Sequence, residues 1–294
     1  MGEYLMKQRL IGEVLKEKYG CKVYKLSLDA GFTCPNRDGS LDTRGCIFCA
    51  GGSGNFAEAG FDICAQLERA KKRVEQKIRG GKYIAYFQAF TNTYGPIGHL
   101  RAVYEAAMAQ PDILELAIAT RPDCLSEEVV ELLKELHQIK PITIELGLQT
   151  IHEKSLRYIR SGFSLADFDG AMERLSAAGI PAVVHMILGL PHESREEMIE
   201  TARYIGRSGA KGIKLQLLHV LEGTDLARDY RAGKFRCLSL LEYAELLQAC
   251  LDALPEEIVI HRLTGDGAKK DLIAPLWSAD KKRVLNTLKE RLEF

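Results

Sequence analysis

The sequence has no excess of charge of either sign and no long apolar run. Its 294 residues include 40 Lys and Arg against 40 Asp and Glu, so no overall field draws the chain to nucleic acid or to an anionic membrane. A nucleic-acid partner would need a local basic patch. No apolar stretch approaches the length of a membrane span, which argues against a membrane protein. What remains is an ordinary globular composition, long enough to bury a large core.

A secretion signal is also missing. The opening MGEYLMKQRLIGEVLKEKYG has early charges and helix-like apolar spacing instead of an uninterrupted apolar segment. We predict an N-terminal helix within residues 1–20 and a cytoplasmic location, where cysteines stay reduced and clustered ones bind metals more often than they form disulfides. Five dispersed cysteines are predicted to be small buried apolar residues: Cys21, Cys64, Cys124, Cys237 and Cys250.

The other three cysteines are gathered in one stretch, TCPNRDGSLDTRGCIFC. Cys34, Cys46 and Cys49 have the spacing C-x11-C-x2-C, and the polar, glycine-bearing segment between them suits a loop that returns Cys34 to the other two. Structural zinc normally has four protein ligands. The pattern therefore indicates either a zinc site with a fourth ligand elsewhere, such as His99 or another cysteine, or a centre with one position open for chemistry.

Strand-like and helix-like segments alternate along the chain. Capping-box patterns begin three of the helical segments, at Ser164, Ser194 and Ser239. Alternation of this kind is typical of parallel strands with helical crossovers. We predict an α/β fold, a partial (β/α)6 TIM-type barrel over residues 21–225, with a C-terminal extension over 226–294 that closes the open side. The six strand-like runs are 23–28, 83–90, 113–120, 142–148, 181–188 and 213–219, and a seventh apolar run at 258–263 is assigned to the extension.

Polar residues share one face of these strands. Glu145 alternates with Ile144 and Leu146, and His185 and Lys214 alternate with apolar neighbours in the same way. We expect the apolar face to pack under helices and the polar face to line a wide, ligand-holding lumen. A set of satisfied polar pairs inside the core is the alternative. Ligands in such barrels lie at the carboxyl ends of the strands, where the cysteine loop would also emerge.

Seven motifs follow one another along the chain: CPNRDG, GCIFC, QAFTNTY, TRPD, ELGLQT, HMILGLP and HRLTGDG. In this order they resemble the motifs of the YhcC-like radical S-adenosylmethionine (SAM) family and, more distantly, those of the radical SAM domain of the Elongator catalytic subunit. The resemblance runs from about residue 4 to about residue 267. The most common cluster motif of the superfamily is C-x3-C-x2-C, whereas these two groups have a longer first gap, as this chain does.

The resemblance implies two cofactors, a 4Fe–4S cluster on Cys34, Cys46 and Cys49, and SAM on the fourth iron. It also implies a flavodoxin, ferredoxin or reductase as electron donor. Phe48 is similar to an aromatic residue beside the adenine. The Gln88–Thr91 stretch lies where other members have glycines for the methionine amino group, and this chain lacks those glycines. The remaining implied SAM contacts are Glu145 and Gln149 to the ribose, Arg160 near the methionine carboxylate, and Gly189 and Leu190 near adenine.

Seven further residues are candidates for substrate binding or catalysis because they are polar or aromatic and are predicted near the same mouth: Tyr94, Arg121, Asp123, His185, His219, Arg262 and Asp266. The leading hypothesis is a radical SAM enzyme that modifies a wobble-uridine side chain of tRNA, as the resemblance suggests. A radical SAM enzyme acting on a small metabolite or a peptide is the alternative within that class. A zinc-stabilised binding protein without catalysis is the alternative outside it.

Overall fold

A curled sheet of seven parallel strands organises the described residues of this computed structural model, which are 7–51, 57, 62–78, 81–265, 267 and 269–292. The strand order is β1-β2-β3-β4-β5-β6-β8, and every neighbouring pair is parallel. The strands are β1 Val23–Leu28, β2 Lys82–Phe87, β3 Ile113–Thr120, β4 Ile142–Gln149, β5 Ala182–Leu188, β6 Gly212–Leu217 and β8 Val259–Arg262. The α/β class and the partial barrel are confirmed.

Helices follow the strands and cover the outside of the sheet. They are α1 Ile11–Tyr19, α2 Ile63–Val74, α3 Ile97–Met108, α4 Glu127–His137, α5 Glu153–Tyr158, α6 Leu165–Ala177, α7 Arg195–Arg207, α8 Asp225–Arg231, α9 Leu240–Asp252 and α10 Lys281–Leu292. Short 3-10 helices occupy Glu75–Lys77, Pro122–Cys124, Lys269–Asp271 and Leu276–Ala279.

The predicted capping boxes begin helices α6, α7 and α9. In each, the serine oxygen accepts a hydrogen bond from the backbone N–H three residues later, and the acidic side chain at that position accepts from the serine N–H. Two amide groups that a helix start leaves without partners are satisfied in this way. These helix starts are therefore specified locally by the sequence.

The two faces of the sheet divide as the alternation predicts. Leu26, Phe87, Ile118 and Leu146 are essentially inaccessible and belong to the main core between sheet and helices. Glu145 and the other inward-pointing residues of β4 face the opposite side, into the barrel. Burial of apolar side chains on one face alone fixes the register of the strands.

The seventh strand, β8, comes from the segment that we assigned to the C-terminal extension. It pairs with β6 through Gly212 opposite Val259 and Ile213 opposite Ile260. The barrel therefore has one strand more than the six βα units predict. An apolar run of four to six residues does not reveal by itself whether it joins the sheet, because edge pairing is decided by the neighbouring strand.

Helix α1 covers the gap between the first and last strands. Leu10, just before it, forms a parallel bridge with Ile260. Leu15 of the helix packs with Tyr86, Ile84 and Ala117 in a separate buried cluster inside the barrel. The N-terminal helix thus plugs the end of the lumen that lies away from the carboxyl ends of the strands.

The C-terminal residues add a small second sheet near the mouth. Strands β7 Val220–Leu221 and β9 Leu272–Ala274 pair antiparallel, and α10 packs on α9. Among the described residues, no helix has both the length and the apolarity needed to cross a bilayer.

Candidate cluster and cofactor site

Cys34, Cys46 and Cys49 line one cavity of about 460 Å³ at the carboxyl ends of the strands. Ligand pockets of roughly 300–1,000 Å³ are common for small molecules and cofactors. The cysteine loop leaves β1 and folds over this cavity, and Ala50 and Gly51 beside it are exposed. The structure therefore brings the three predicted ligands together at the end of the barrel where the fold predicts them.

The eleven residues between Cys34 and Cys46 form an internally bonded loop. The Gly45 N–H donates to the Asn36 carbonyl at 2.7 Å, and the Arg37 guanidinium donates to the Cys49 carbonyl at 2.7 Å. Gly45 has a positive φ of 76°, and a Cβ there would lie 2.9 Å from Arg37 Nε. Glycine at this position allows the loop to close under the arginine side chain.

Asn36 joins the loop to the segment that follows α5. Its Nδ2 donates to the carbonyl oxygens of Arg160 at 2.7 Å and Ser161 at 2.9 Å. The same nitrogen lies 3.6 Å from Cys46 Sγ. Asn36 is almost wholly buried, so these hydrogen bonds are shielded from water and hold the loop in place. Asn36 follows Cys34 in the CPN motif, but its contacts with residues 160 and 161 are too distant along the chain for the sequence pattern to predict them.

Ile47 anchors the Cys46–Cys49 segment from the other side. Its N–H donates to the Ile159 carbonyl, and its own carbonyl accepts from the Leu226 N–H at 3.0 Å. The side chain is buried in a second apolar cluster that also contains Leu190. One residue inside the C-x2-C motif is therefore fixed by both backbone and side chain.

The three thiols are close enough to affect one another. Burial, and then the neighbouring thiols of Cys49 and Cys34, raise the pKa of Cys46 to about 11, and Asn36 and Arg121 oppose this rise. A metal-bound cysteine is a thiolate. A positively charged centre would therefore remove the cost of ionising the Cys46 thiol, which fits a site for iron.

The distances between ligand atoms distinguish a cluster site from a site for a single metal ion. Among the described side chains, no three of His, Cys, Asp or Glu are arranged to hold one metal ion. Thiolates that bind different irons of a 4Fe–4S cluster lie further apart than ligands of one ion, because the cluster lies between them. Three thiols at one cavity are donors of the kind that hold iron–sulfur clusters in proteins.

The proposed zinc ligands from elsewhere are not in this cavity. His99 is exposed on α3, with its ring 5.3 Å from that of Phe32, and it is not a lining residue. Of the five dispersed cysteines, all of which the structure describes, Cys250 alone is fully buried and Cys64 is exposed. The prediction that all five are buried apolar residues was wrong for four of them, since Cys64 lies on the outer face of helix α2 and the other three are partly accessible.

Arg121 supplies positive charge beside the cysteine loop. It is buried and donates two hydrogen bonds to Asp123, at 2.9 and 2.8 Å. Its guanidinium also lies 5.3 Å from the Phe163 ring centre. The arginine lines the cavity and Asp123 does not, so the carboxylate orients the arginine from behind.

The wall of the cavity contains most of the predicted cofactor residues. The cavity-lining candidates, beyond the cysteines, are Phe48, Gln88, Thr91, Arg121, Glu145, Gln149, His185, His219 and Arg262. Gln149 has a φ of 72°, and Phe90, also in the lining, has a φ of 60°. Left-handed backbone at non-glycine residues is uncommon and concentrates at functional sites. The structure brings these residues together, and their individual roles stay predictions.

Five predicted residues lie outside the cavity lining. Arg160 Nη1 donates a hydrogen bond to Asp225 Oδ2 at 2.6 Å. The hydroxyl groups of Tyr94 and Ser40 are hydrogen-bonded at 2.8 Å, and Leu190 is buried in the second apolar cluster. Asp123 lies behind Arg121, and the Gly189 N–H points to Met198 Sδ at 3.1 Å. These contacts join the five residues to neighbouring elements, and their predicted roles stay predictions. Asp266 lies outside the described residues.

A buried charge network forms the floor of the cavity. Glu145 is inaccessible and forms ion pairs with Lys25 and Lys214. Its Oε2 also accepts a hydrogen bond from His185 Nε2 at 2.9 Å. Lys214 and Lys25 further hold the pKa of Glu145 well below its usual range, against the effect of burial. Satisfied polar pairs thus lie at the bottom of the lumen, and the open cavity lies above them. The polar face therefore forms paired contacts at the bottom and a ligand-sized space near the mouth.

Burial lowers the pKa of both His185 and Lys214, the two buried basic partners of Glu145. It lowers the pKa of His185 to about 4, with Lys214 adding to the effect, so the imidazole is neutral and donates to Glu145. Burial also lowers the pKa of Lys214 to about 8, although Glu145 opposes this shift. Tyr86 also lines the cavity here. The alternation of strand β2 places Tyr86 in the lumen, but its contact with Lys214 at 3.2 Å requires the tertiary fold.

His219 marks the rim on the side of the C-terminal segment. Its Nε2 lies 3.1 Å from Ser278 Oγ, and a Cβ on Gly265 would approach the imidazole to 2.5 Å. The glycine in the TGDG motif therefore makes room for the histidine. Lys269 and Lys281 border a small crevice of about 40 Å³ that includes His219.

Comparison with protein families adds independent information. Residues 43–205 match the model of the radical SAM superfamily, and residues 210–293 match that of the radical SAM C-terminal domain. The chain is 43% identical to "Uncharacterized protein YtqA" of Bacillus subtilis, over 95% of this chain and 87% of that protein. It is 35% identical to "Protein YhcC" of Escherichia coli, over 91% of this chain and 86% of that protein.

More distant similarity extends to a "tRNA uridine(34) acetyltransferase" of Methanocaldococcus infernus, 26% identical over 51% of this chain and 28% of that protein. Among solved structures, Elp3 of Methanocaldococcus infernus superposes with a TM-score of 0.67 at 18% identity, over 89% of this chain and 63% of that chain. The structural similarity shows a common fold. Membership of the family is shown by the family model together with the two relatives of higher identity. The chain belongs to the radical SAM superfamily of enzymes, within the group of YtqA and YhcC.

Proposed function

We propose that this chain holds a 4Fe–4S cluster through Cys34, Cys46 and Cys49, cleaves SAM reductively, and modifies a wobble-uridine side chain of tRNA. One observation carries the first part: the three cysteines of a single loop line one cavity, above a polar lumen, in a chain of this superfamily. When bound on these three cysteines, the cluster would supply the one-electron chemistry for reductive cleavage of SAM, with the electron coming from an external donor.

The protein's own residues position these groups. Asn36 and Ile47 fix the cysteine loop against the barrel, and Arg121 places a positive charge beside the thiolates, where it offsets their negative charge. Phe48, in the cavity wall, offers a ring for the adenine, and Gln149 offers an amide to the ribose. Rigid placement of this kind lowers the entropic cost of reaching a reactive arrangement.

The closed end of the barrel protects a radical from water. Helix α1 packs Leu15 against Tyr86 and Ile84, and Lys18 and Tyr19 hydrogen-bond to Glu115 at the same end. Substrate therefore enters from the cysteine side. The exposed Ala50 and Gly51 next to Cys49 give an external electron donor, a flavodoxin, ferredoxin or reductase, a short route to the cluster.

Two observations favour tRNA over a small metabolite or a peptide. A relative is named a tRNA uridine(34) acetyltransferase, and basic residues lie beside the mouth although the chain as a whole is neutral. Lys269 and Lys281 border the crevice at His219, and Lys282 and Arg283 follow on the exposed start of α10. This local patch is placed to contact the phosphate backbone while a base enters the cavity.

Anaerobic reconstitution tests the cofactor part of the proposal. We expect a brown protein with an EPR signal after reduction that releases 5′-deoxyadenosine from SAM. One bound zinc and no SAM cleavage would refute it.

Nucleoside mass spectrometry of tRNA from a deletion strain tests the substrate. We expect loss or truncation of a wobble-uridine modification, restored by the wild-type gene and not by a Cys34→Ala gene. An unchanged wobble-uridine profile would redirect the search to metabolites and peptides.

A further inference from the structure

Gln216, on strand β6, presents its side-chain amide to the cavity. It is half-buried and belongs to the cavity wall, and within the described ranges no residue forms a hydrogen bond with its side chain. A glutamine amide has two N–H donors and one carbonyl acceptor. In the folded protein, therefore, the hydrogen bonds of this amide are left for water or for a ligand in the cavity.

The register of the strands gives the depth of Gln216 in the lumen. Lys214 lies opposite His185, and Gln216 lies opposite Ile187. All four residues line the cavity. Since a strand rises about 3.3 Å per residue, Gln216 lies roughly 6–7 Å nearer the mouth than Lys214 does. The amide is thus placed between the buried charge network and the opening.

The charged side chains below Gln216 have partners within the lumen. Glu145 forms ion pairs with Lys25 and Lys214, and it accepts a hydrogen bond from His185 at 2.9 Å. A buried ion pair is costly to break, because each charge then loses its partner away from water. A neutral ligand group can lie above this network without separating any of these pairs.

The row of side chains at the depth of Gln216 is apolar in its middle. Ile187, on the strand between β4 and β6, is only 8% exposed. On the far side, a Cβ on Gly147 would lie 2.9 Å from Gln149 Nε2, so the Gln149 amide takes the space that a side chain on Gly147 would need. An apolar surface with a few amides at its edges suits a flat, neutral ring.

We propose that Gln216 selects the substrate by pairing with a neutral ring amide, an N–H beside a C=O, as on the N3–H and O4 edge of uracil. This inference rests on the proposed function, because it takes the lumen as the substrate site. The Gln216 carbonyl accepts from the ring N–H, and its amide N–H donates to the ring C=O. Enzymes that act on a base extruded from its stack read it through hydrogen bonds to this same edge.

The pairing distinguishes a nucleobase from the other two substrate classes. In a trans peptide the N–H and the C=O point in opposite directions, so a peptide backbone cannot make both hydrogen bonds to one glutamine. A carboxylate has no N–H to donate. Gln216 therefore favours a ring amide over a peptide backbone and over an anionic metabolite.

Fluorescence anisotropy with labelled anticodon stem-loop RNA tests the pairing. The reconstituted enzyme is used with SAM bound and without reductant, so that SAM fills its own site and no turnover occurs. One RNA has uridine at the wobble position and the other has 3-methyluridine, in which a methyl group replaces the N3 hydrogen. We expect wild type to bind the uridine RNA about tenfold or more tightly than the methylated RNA, the size typical of a two-point contact to a base edge.

Gln216→Met removes both hydrogen bonds and keeps the length of the side chain. We expect it to bind the uridine RNA about tenfold more weakly than wild type, with little difference between the two RNAs. Gln138→Met, at an exposed glutamine after α4, is the matched control and should bind as wild type does. Equal binding of the two RNAs by wild type, or an undiminished difference in Gln216→Met, would overturn the inference.

A second measurement covers the case in which Gln216→Met does not fold. Wild-type crystals soaked in 5-bromouridine should show anomalous density from bromine in the lumen, with the N3–H and O4 edge of the ring within hydrogen-bond distance of the Gln216 amide. A ring bound elsewhere, or an empty lumen at saturating 5-bromouridine, would count against the site. An enzyme that cleaves SAM but holds no base at Gln216 refutes this inference alone. One that holds the base there, while deletion leaves the wobble-uridine profile unchanged, refutes the proposed function alone.

Discussion

Replacing Asn36 by aspartate tests how the cysteine loop is held. The change keeps the shape of the side chain and removes both N–H donors, since an ionised carboxylate only accepts hydrogen bonds. The carbonyls of Arg160 and Ser161, which now accept at 2.7 and 2.9 Å, would each face an oxygen. Cys46 Sγ, at 3.6 Å, would face a negative charge.

The size of the effect follows from these contacts. A buried acceptor left without a donor costs roughly 1–3 kcal/mol, so two carbonyls give a loss of about 2–6 kcal/mol in the free energy of unfolding at pH 7. Repulsion raises the pKa of the new carboxyl in the folded state. The loss should therefore shrink in acid, where the protonated carboxyl donates one hydrogen bond again.

Urea denaturation of the apoprotein measures this loss, and iron content after reconstitution measures its consequence for the loop. Asn286→Asp, the same chemical change at an exposed position on α10, is the control and should stay within about 0.5 kcal/mol of wild type. Equal stabilities of Asn36→Asp and wild type, together with unchanged iron content, would show that Asn36 does not hold the loop.

Three further predictions follow from the site. Cys34→Ala should abolish cluster binding and SAM cleavage, whereas Cys64→Ala, at an exposed cysteine, should keep both; retained iron and turnover in the first variant would remove Cys34 from the ligand set. The pKa of His185 is about 4 against an ordinary value of 6.5. The free energy of unfolding should therefore fall as pH falls from 6.5 to 4, because the unfolded chain takes up a proton that the folded chain does not. The loss is about 1.4 kcal/mol per pH unit at most. His185→Gln should flatten this part of a stability–pH curve, and parallel curves would contradict the assignment. The double change Lys282→Gln with Arg283→Gln should weaken tRNA binding and reduce the salt slope by about one for each lost phosphate contact; an unchanged slope in filter binding would move the RNA surface elsewhere.

Local signals were enough to predict much of the fold. The capping boxes at Ser164, Ser194 and Ser239 depend on residues three apart, and the alternation around Glu145 follows from the two-residue period of a strand, so both are visible in the sequence. The C-x11-C-x2-C spacing likewise marked the candidate centre and placed it after β1. For these features the determining contacts lie within a few residues along the chain.

Other features depend on contacts between distant segments. Asn36 contacts Ser161, which is 125 residues away in the sequence, and Lys214 contacts Tyr86, which is 128 residues away. The periodicity of helices and strands does not predict contacts at such separations. Arg160 likewise pairs with Asp225 across 65 residues, and its predicted contact with SAM stays a prediction.

The sequence by itself determined the parallel α/β architecture, the polar lumen and the three cysteines that share one loop, because periodicity and spacing encode them locally. Tertiary structure decided that β8 joins the sheet, that α1 plugs the closed end, and that the lumen floor collects Lys25, Lys214 and Arg262 around one carboxylate. The physical reason is that electrostatic balance in a buried site depends on side chains from several strands at once, and only the folded chain brings those charges together.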